Sequence, residues 1–263
     1  MNRAVAVVAA LVVSVTSPHA QWPARAPANA PLTAAGEIDL DGPTPRSSDG
    51  KPDLSGTWSG GGRPTGFSYP GRDVAYTAGI YIAPLFVFRR TAYGEELYNA
   101  RRATNSQDNP RGLCLPMGIV QLHTSAGVAR YVQTPGELLI LYEVNGERRE
   151  IFTDGRSLPA NDPQPWWNGY SVGRWDGDAL VVETTHFRDG GWLDMAGNPL
   201  TDAGKIVERF RRPSYGRMEV DITIDDKKAY EGPFTVRWNQ RLAADTNLIE
   251  FVCENNRFAR KQR

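Results

Sequence analysis

Apolar and polar residues alternate with a period of two over much of the second half of the chain, and turn-forming clusters separate the alternating runs. Residues 137–144, 148–153, 170–175 and 179–186 are such runs. Between them stand Asn145-Gly146, the Pro/Asn/Asp-rich segment 154–165, and Asp176-Gly177-Asp178. Asn-Gly and Asp-Gly between apolar runs signal hairpins, because these residues accept the positive φ that a tight reversal needs. The stretch 133–186 therefore predicts an antiparallel meander.

Residues 55–59 and 130–134 add earlier runs, and 81–89 reads as a strand or a buried turn. Downstream, 205–212, 217–224, 233–239 and 248–253 predict further strands. The best helix candidate is 91–103, where Tyr93, Leu97 and Ala100 recur at helical spacing. Glu95 and Glu96 come early in it and Arg101 and Arg102 late, as the helix dipole favours. About ten strands and one short helix predict an all-β, mainly antiparallel fold, a β-barrel or curled sheet.

The same period assigns faces. Leu180, Val182, Thr184 and His186 share the bulkier side of their strand. On the next strand Arg209 and Arg211 must meet water, which turns Ile206, Glu208 and Phe210 inward. Met218, Val220, Ile222 and Ile224, then Phe234, Val236 and Trp238, line the two that follow.

The chain begins with the pattern of a secretory signal: Arg3, an apolar run over 4–15, and Pro18-His19-Ala20. Cleavage is expected after Ala20, giving a periplasmic or secreted protein. The apolar run is shorter than the about 20 residues of a membrane span, and no later segment comes close. Residues 21–52 lack hydrophobic periodicity and read as a flexible Pro/Ala/Gly-rich arm, leaving 53–263 as a single β-barrel-like domain. Lys+Arg and Asp+Glu are equal at 30 each, a balance that argues against a nucleic-acid partner. Cys114 and Cys253 form an even pair in an exported chain, which makes a disulfide the default reading. The competing reading is a reactive Cys114 served by His123.

Glu208 is the sharpest chemical candidate. An inward carboxylate needs a partner, such as Arg174 in a structural ion pair, or else acts as an acid or base with a raised pKa. His186 ends its strand at a loop, where barrel mouths place binding groups, and Asp189 or Asp194 is placed to orient its imidazole. If His186 and Glu208 share a cavity, they form an acid/base pair. Trp166, Trp167, Tyr170 and Trp192 cluster at loops and, with Trp238, are candidates for holding a flat apolar or aromatic ligand. Gly60-Gly61-Gly62 lacks the Gly-Lys-Ser/Thr of a phosphate loop, and neither Gly-x-Ser-x-Gly nor His-Glu-x-x-His occurs. No metal or cofactor is expected.

Residues 52–58 (PDLSGTW), Cys114-Leu115-Pro116, Gln133-Thr134-Pro135-Gly136, 169–178 (GYSVGRWDGD), 180–184 (LVVET), 208–211 (ERFR) and 251–255 (FVCEN) together resemble a large uncharacterised family of exported bacterial proteins. The resemblance spans nearly the whole domain and implies secretion and a β-rich fold, with no activity attached. Gly56-Thr57-Trp58 also resembles the Gly-x-Trp opening of lipocalin-like barrels.

Three functions fit these observations. The first is an exported protein that binds a small apolar or aromatic molecule in a barrel cavity. The second is an isomerase, lyase or cyclase working in that cavity through His186 and Glu208, with Tyr170 or Arg174 polarising the substrate. The third is an envelope structural protein with a packed core.

Overall fold

The computed structural model describes residues 29–59, 66–69, 72–74, 89–125, 127–161 and 164–253, with only the backbone of 66–69 and 72–74. The expected signal at 1–20, the Gly60-Gly61-Gly62 break and residues 81–88 of the expected strand or turn lie outside the described residues.

The elements run β1 (Gly56–Ser59), β2 (Gly66–Tyr69), β3 (Arg72–Val74), α1 (Ala92–Ala103), α2 (Ile119–Thr124), β4 (Val128–Thr134), β5 (Glu137–Tyr142) and β6 (Arg148–Phe152). They continue through β7 (Tyr170–Asp176), β8 (Ala179–Thr185), β9 (Gly191–Trp192), β10 (Pro199–Leu200), β11 (Lys205–Ser214), β12 (Arg217–Asp225) and β13 (Phe234–Leu242). Nine strands close into a mixed barrel in the order β1-β4-β5-β6-β7-β8-β11-β12-β13 and back to β1. Closure rests on Trp58 opposite Leu242 and Ser59 opposite Arg241. The other part of β13 pairs with β2, which carries β3 as a flap on the wall. Among the described residues, no helix is long and apolar enough to cross a membrane.

Alternation does what its period requires. Along β11 and β12 every second residue is buried, and Ile206, Phe210, Met218, Val220 and Ile222 fill the interior. At the β5–β6 turn Asn145 and Gly146 both take positive φ, 56° and 60°, the pair of conformations that Asn-Gly supplies at little cost. The helix expected at 91–103 forms with Thr91 as its N-cap, the hydroxyl accepting from the Gly94 N–H at 3.1 Å.

Three expectations need correction. The meander is not antiparallel throughout, because β6 and β7 run parallel. Residues 29–52 are not a free arm: Tyr215 N–H donates to the Gly42 carbonyl (2.8 Å), Gly216 N–H to that of Leu40 (2.7 Å), and Arg46 pairs with Asp178. Such ordering comes from satisfied backbone groups rather than a hydrophobic stripe, so periodicity cannot reveal it. Segment 248–253 is irregular, so the Cys114–Cys253 disulfide ties the Cys114 loop to an irregular segment instead of a last strand. As expected, α1 is the one helix of seven residues or more among the described residues, and the six-residue α2 adds a single short turn of helix. The six residues of α2 are all buried, and a helix that is covered on every side shows no amphipathic period.

Candidate functional site

The parallel step in the wall creates the site. β6 and β7 share only the pairs Ile151–Ser171 and Phe152–Val172. Parallel neighbours need a crossover connection rather than a tight turn. The first half of β6 therefore faces a loop, 166–169, where another strand would otherwise run. A cleft of about 420 Å³ opens there, within the size range of small-molecule sites.

Phe152, Trp166, Trp167 and Tyr170 wall the cleft, and Glu147, Arg149, Asn168 and Ser171 are its polar lining. The loop is fixed by its backbone. Trp166 N–H donates to the His186 carbonyl (2.9 Å), and Arg188 N–H donates to the Trp166 carbonyl (2.8 Å). Gly169 is required where the loop meets β8: its φ is +66°, and a Cβ there would sit 2.6 Å from Thr184 Cγ2. The rings are also braced, with Phe152 and Tyr170 centroids 5.3 Å apart and the Arg188 guanidinium 4.5 Å above Trp167. Trp166 nonetheless keeps 49% of its surface exposed.

Behind the cleft lies a polar chain that runs into the barrel. Ser171 Oγ accepts from Arg149 Nη2 at 3.2 Å and bonds Thr184 Oγ1 at 2.9 Å. Arg149 grips Glu208 with both Nη atoms, at 3.0 and 2.6 Å. His123 Nε2, on α2, meets Glu208 Oε1 at 2.7 Å. Glu208 is 0% exposed. Burial alone would raise its pKa, but Arg149 and His123 together outweigh that and hold the carboxyl at about 2. An ionised carboxylate only accepts, so Nε2 carries the proton of the His123–Glu208 bond. Burial and the Glu208 charge raise the neighbouring Tyr142 hydroxyl to about 12 against the opposing pull of Arg149.

This arrangement removes the geometry on which the acid/base reading depended. Both Glu208 oxygens are occupied by cationic or imidazole donors, so Glu208 serves as the counter-charge that locks Arg149 in place. The imidazole beside it is His123 and not His186, and the guanidinium is that of Arg149 and not Arg174. Val182 lies opposite Glu208, and His186 is four residues further, roughly 13 Å along the strand. At His186 the backbone turns to φ 61° and Nδ1 meets Thr185 Oγ1 at 2.8 Å, so the residue ends β8 and anchors Trp166. Arg174 is exposed and donates to the Arg156 carbonyl, and Asp189 is exposed. Asp194 is buried and accepts from the N–H groups of Ala196, Gly197 and Asn198, which makes it a loop organiser.

Of the five aromatic candidates, Trp166, Trp167 and Tyr170 meet at the cleft. Trp192 is buried beneath the Arg101 guanidinium, 4.5 Å from its ring, and Trp238 lies in the barrel interior. Arg149, Glu147 and Asn168 were not among the residues expected, and His123 was considered only as a partner for Cys114, which is instead held in the disulfide. For Arg149 a signal exists, since it shares a strand face with Ile151. For the meeting of His123 with Glu208 there is none. Among the described residues, no cluster of three or more His, Cys, Asp or Glu side chains is placed to hold a metal. Comparison with known protein families, curated proteins and solved structures yields no match.

Proposed function

We propose that the protein is an exported small-molecule-binding protein whose ligand, an apolar or aromatic molecule, sits in the wall cleft between β6 and the 166–169 loop. One observation carries this reading: four aromatic rings, Phe152, Trp166, Trp167 and Tyr170, converge on one cleft and are held there by backbone bonds and a fixed glycine. Aromatic surface that is pre-organised and still exposed loses little freedom when a flat ligand covers it. The barrel interior, where the ligand was first expected, is filled by apolar side chains and by α2, so the wall is the better host. The leader-like residues 4–15 and the Cys114–Cys253 bridge support export.

Native mass spectrometry of the purified protein, followed by calorimetric titration with a panel of flat aromatic compounds, tests the reading. Trp167→Ala and Tyr170→Ala should each weaken binding about tenfold or more while leaving thermal stability nearly unchanged. If nothing co-purifies and no compound gives a saturable heat, or if both substitutions leave affinity intact, the cleft is not the binding site.

A further inference from the structure

We infer that the cleft takes a short extended peptide, which pairs its backbone with the open edge of β6 and lays an aromatic side chain on the rings. This rests on the cleft being the binding site, and it adds the chemical class of the ligand. The open edge follows from register. Tyr142 N–H donates to the Glu147 carbonyl at 2.8 Å, and Thr153 N–H donates to that of Gly136 at 2.7 Å. These two bonds bracket the β5–β6 ladder, in which successive residues alternately bond the partner strand and point away from it. Arg149 and Ile151 therefore bond toward β5, and Arg148, Glu150 and Phe152 present their N–H and C=O groups on the side of β7. β7 joins only at Ile151–Ser171 and Phe152–Val172, a parallel step that engages the Glu150 carbonyl and the Phe152 N–H. The Glu150 N–H and both backbone groups of Arg148 have no backbone partner among the described residues. Both residues are exposed, and both line the cleft.

An unpaired strand edge beside an open cleft is a template for one more strand. Only a backbone repeats a donor and an acceptor at that spacing. The open edge from Arg148 to Glu150 is roughly 7 Å long, so about two or three ligand residues pair with it. Alternation also sets their side chains. Arg149, Ile151 and Ser171 turn into the barrel, so Phe152 and Tyr170 face out, with the Trp166 ring 6.5 Å from that of Tyr170. The ligand's outward side chain meets these rings. Its inward neighbour faces an interior that is already filled and must be small. A flat arene covers the rings and leaves the edge to water, whereas an extended peptide uses both.

The test is calorimetric titration of the full protein with two pentapeptides, acetyl-Ala-Ala-Tyr-Ala-Ala amide and its Trp counterpart. The matching free side chains, p-cresol and 3-methylindole, are titrated beside them. At least one peptide should bind about tenfold or more tightly than its side-chain analogue. N-methylation of successive amides in that peptide should alternate in effect, one set losing about tenfold or more and the set between staying within about threefold. Saturating peptide should also slow amide hydrogen exchange at Glu150 about tenfold or more. Analogues that bind as tightly as the peptides, N-methylation without alternation, or unchanged exchange at Glu150 each overturn the inference and leave the cleft reading standing. Binding of neither peptides nor analogues overturns both. Every arm uses the wild-type protein, so a misfolded variant cannot protect the inference.

Discussion

The two faces of β11 place similar charged residues in opposite settings. Glu208 points inward and is sealed against Arg149 and His123, while its neighbours Arg209 and Arg211 point outward. Outside, Arg209 pairs with Asp176 at 2.8 Å, Arg211 reaches Glu219 and Asp221 at 3.2 and 3.1 Å, and Arg237 takes the other side of Asp221 at 2.6 Å. The lengths are alike on both faces, but the solvent is not. On the outer wall, water and salt screen each charge, so an ion pair contributes little. Inside, neither partner can be rehydrated, so removing one strands the other. Counting ion pairs would rank the outer face first, and the cost of breaking them ranks the inner face first.

The comparison breaks most readily at Glu208. Glu208→Gln leaves Arg149 buried without its counter-charge and should cost roughly 3–5 kcal/mol in urea or thermal unfolding. Combining it with Arg149→Met should recover part of that loss; simple additivity of the two costs would mean that the pair is not coupled.

Acid sharpens the same contrast. The Glu208 carboxyl lies at about 2 in the folded protein against an ordinary value of 4.5. Its contribution is therefore complete above about pH 4.5 and is lost as the pH falls toward 2, on the order of 3 kcal/mol across that window. Urea midpoints taken down the pH scale should show this loss in the wild type and a shallower one in Glu208→Gln. Parallel curves would place the acid sensitivity in other groups.

The smallest effect is expected on the outer face. Arg211→Ala breaks two half-buried ion pairs at the solvent-facing wall and should shift stability by no more than about 1 kcal/mol, and less in high salt. A loss above about 2 kcal/mol would erase the distinction between the faces.

The inward turn of Glu208 was legible because alternation is a local property: with Arg209 and Arg211 bound for water, their neighbour had to face the core. The identity of its partners was not. Arg149 comes from β6 and His123 from a helix too short and too deeply covered to leave a periodic trace. The cleft was half legible. Two tryptophans, a glycine and a tyrosine in one loop announced aromatic surface, but Pro-rich segment 154–165 reads equally as a long hairpin turn or as a crossover. Only the second makes the β6–β7 seam.

By itself, then, the sequence determined most of the long strands, the Asn145-Gly146 turn, the inward faces and helix α1, and made a disulfide the default for its two cysteines, because these follow from residue spacing, backbone preference or the number of available thiols. The tertiary structure alone decided that β6 and β7 run parallel, that the barrel interior is filled, and that Asn168 rather than His186 stands at the cleft. Those outcomes depend on which distant segments come together, and a period of two along one strand carries no record of the strand beside it.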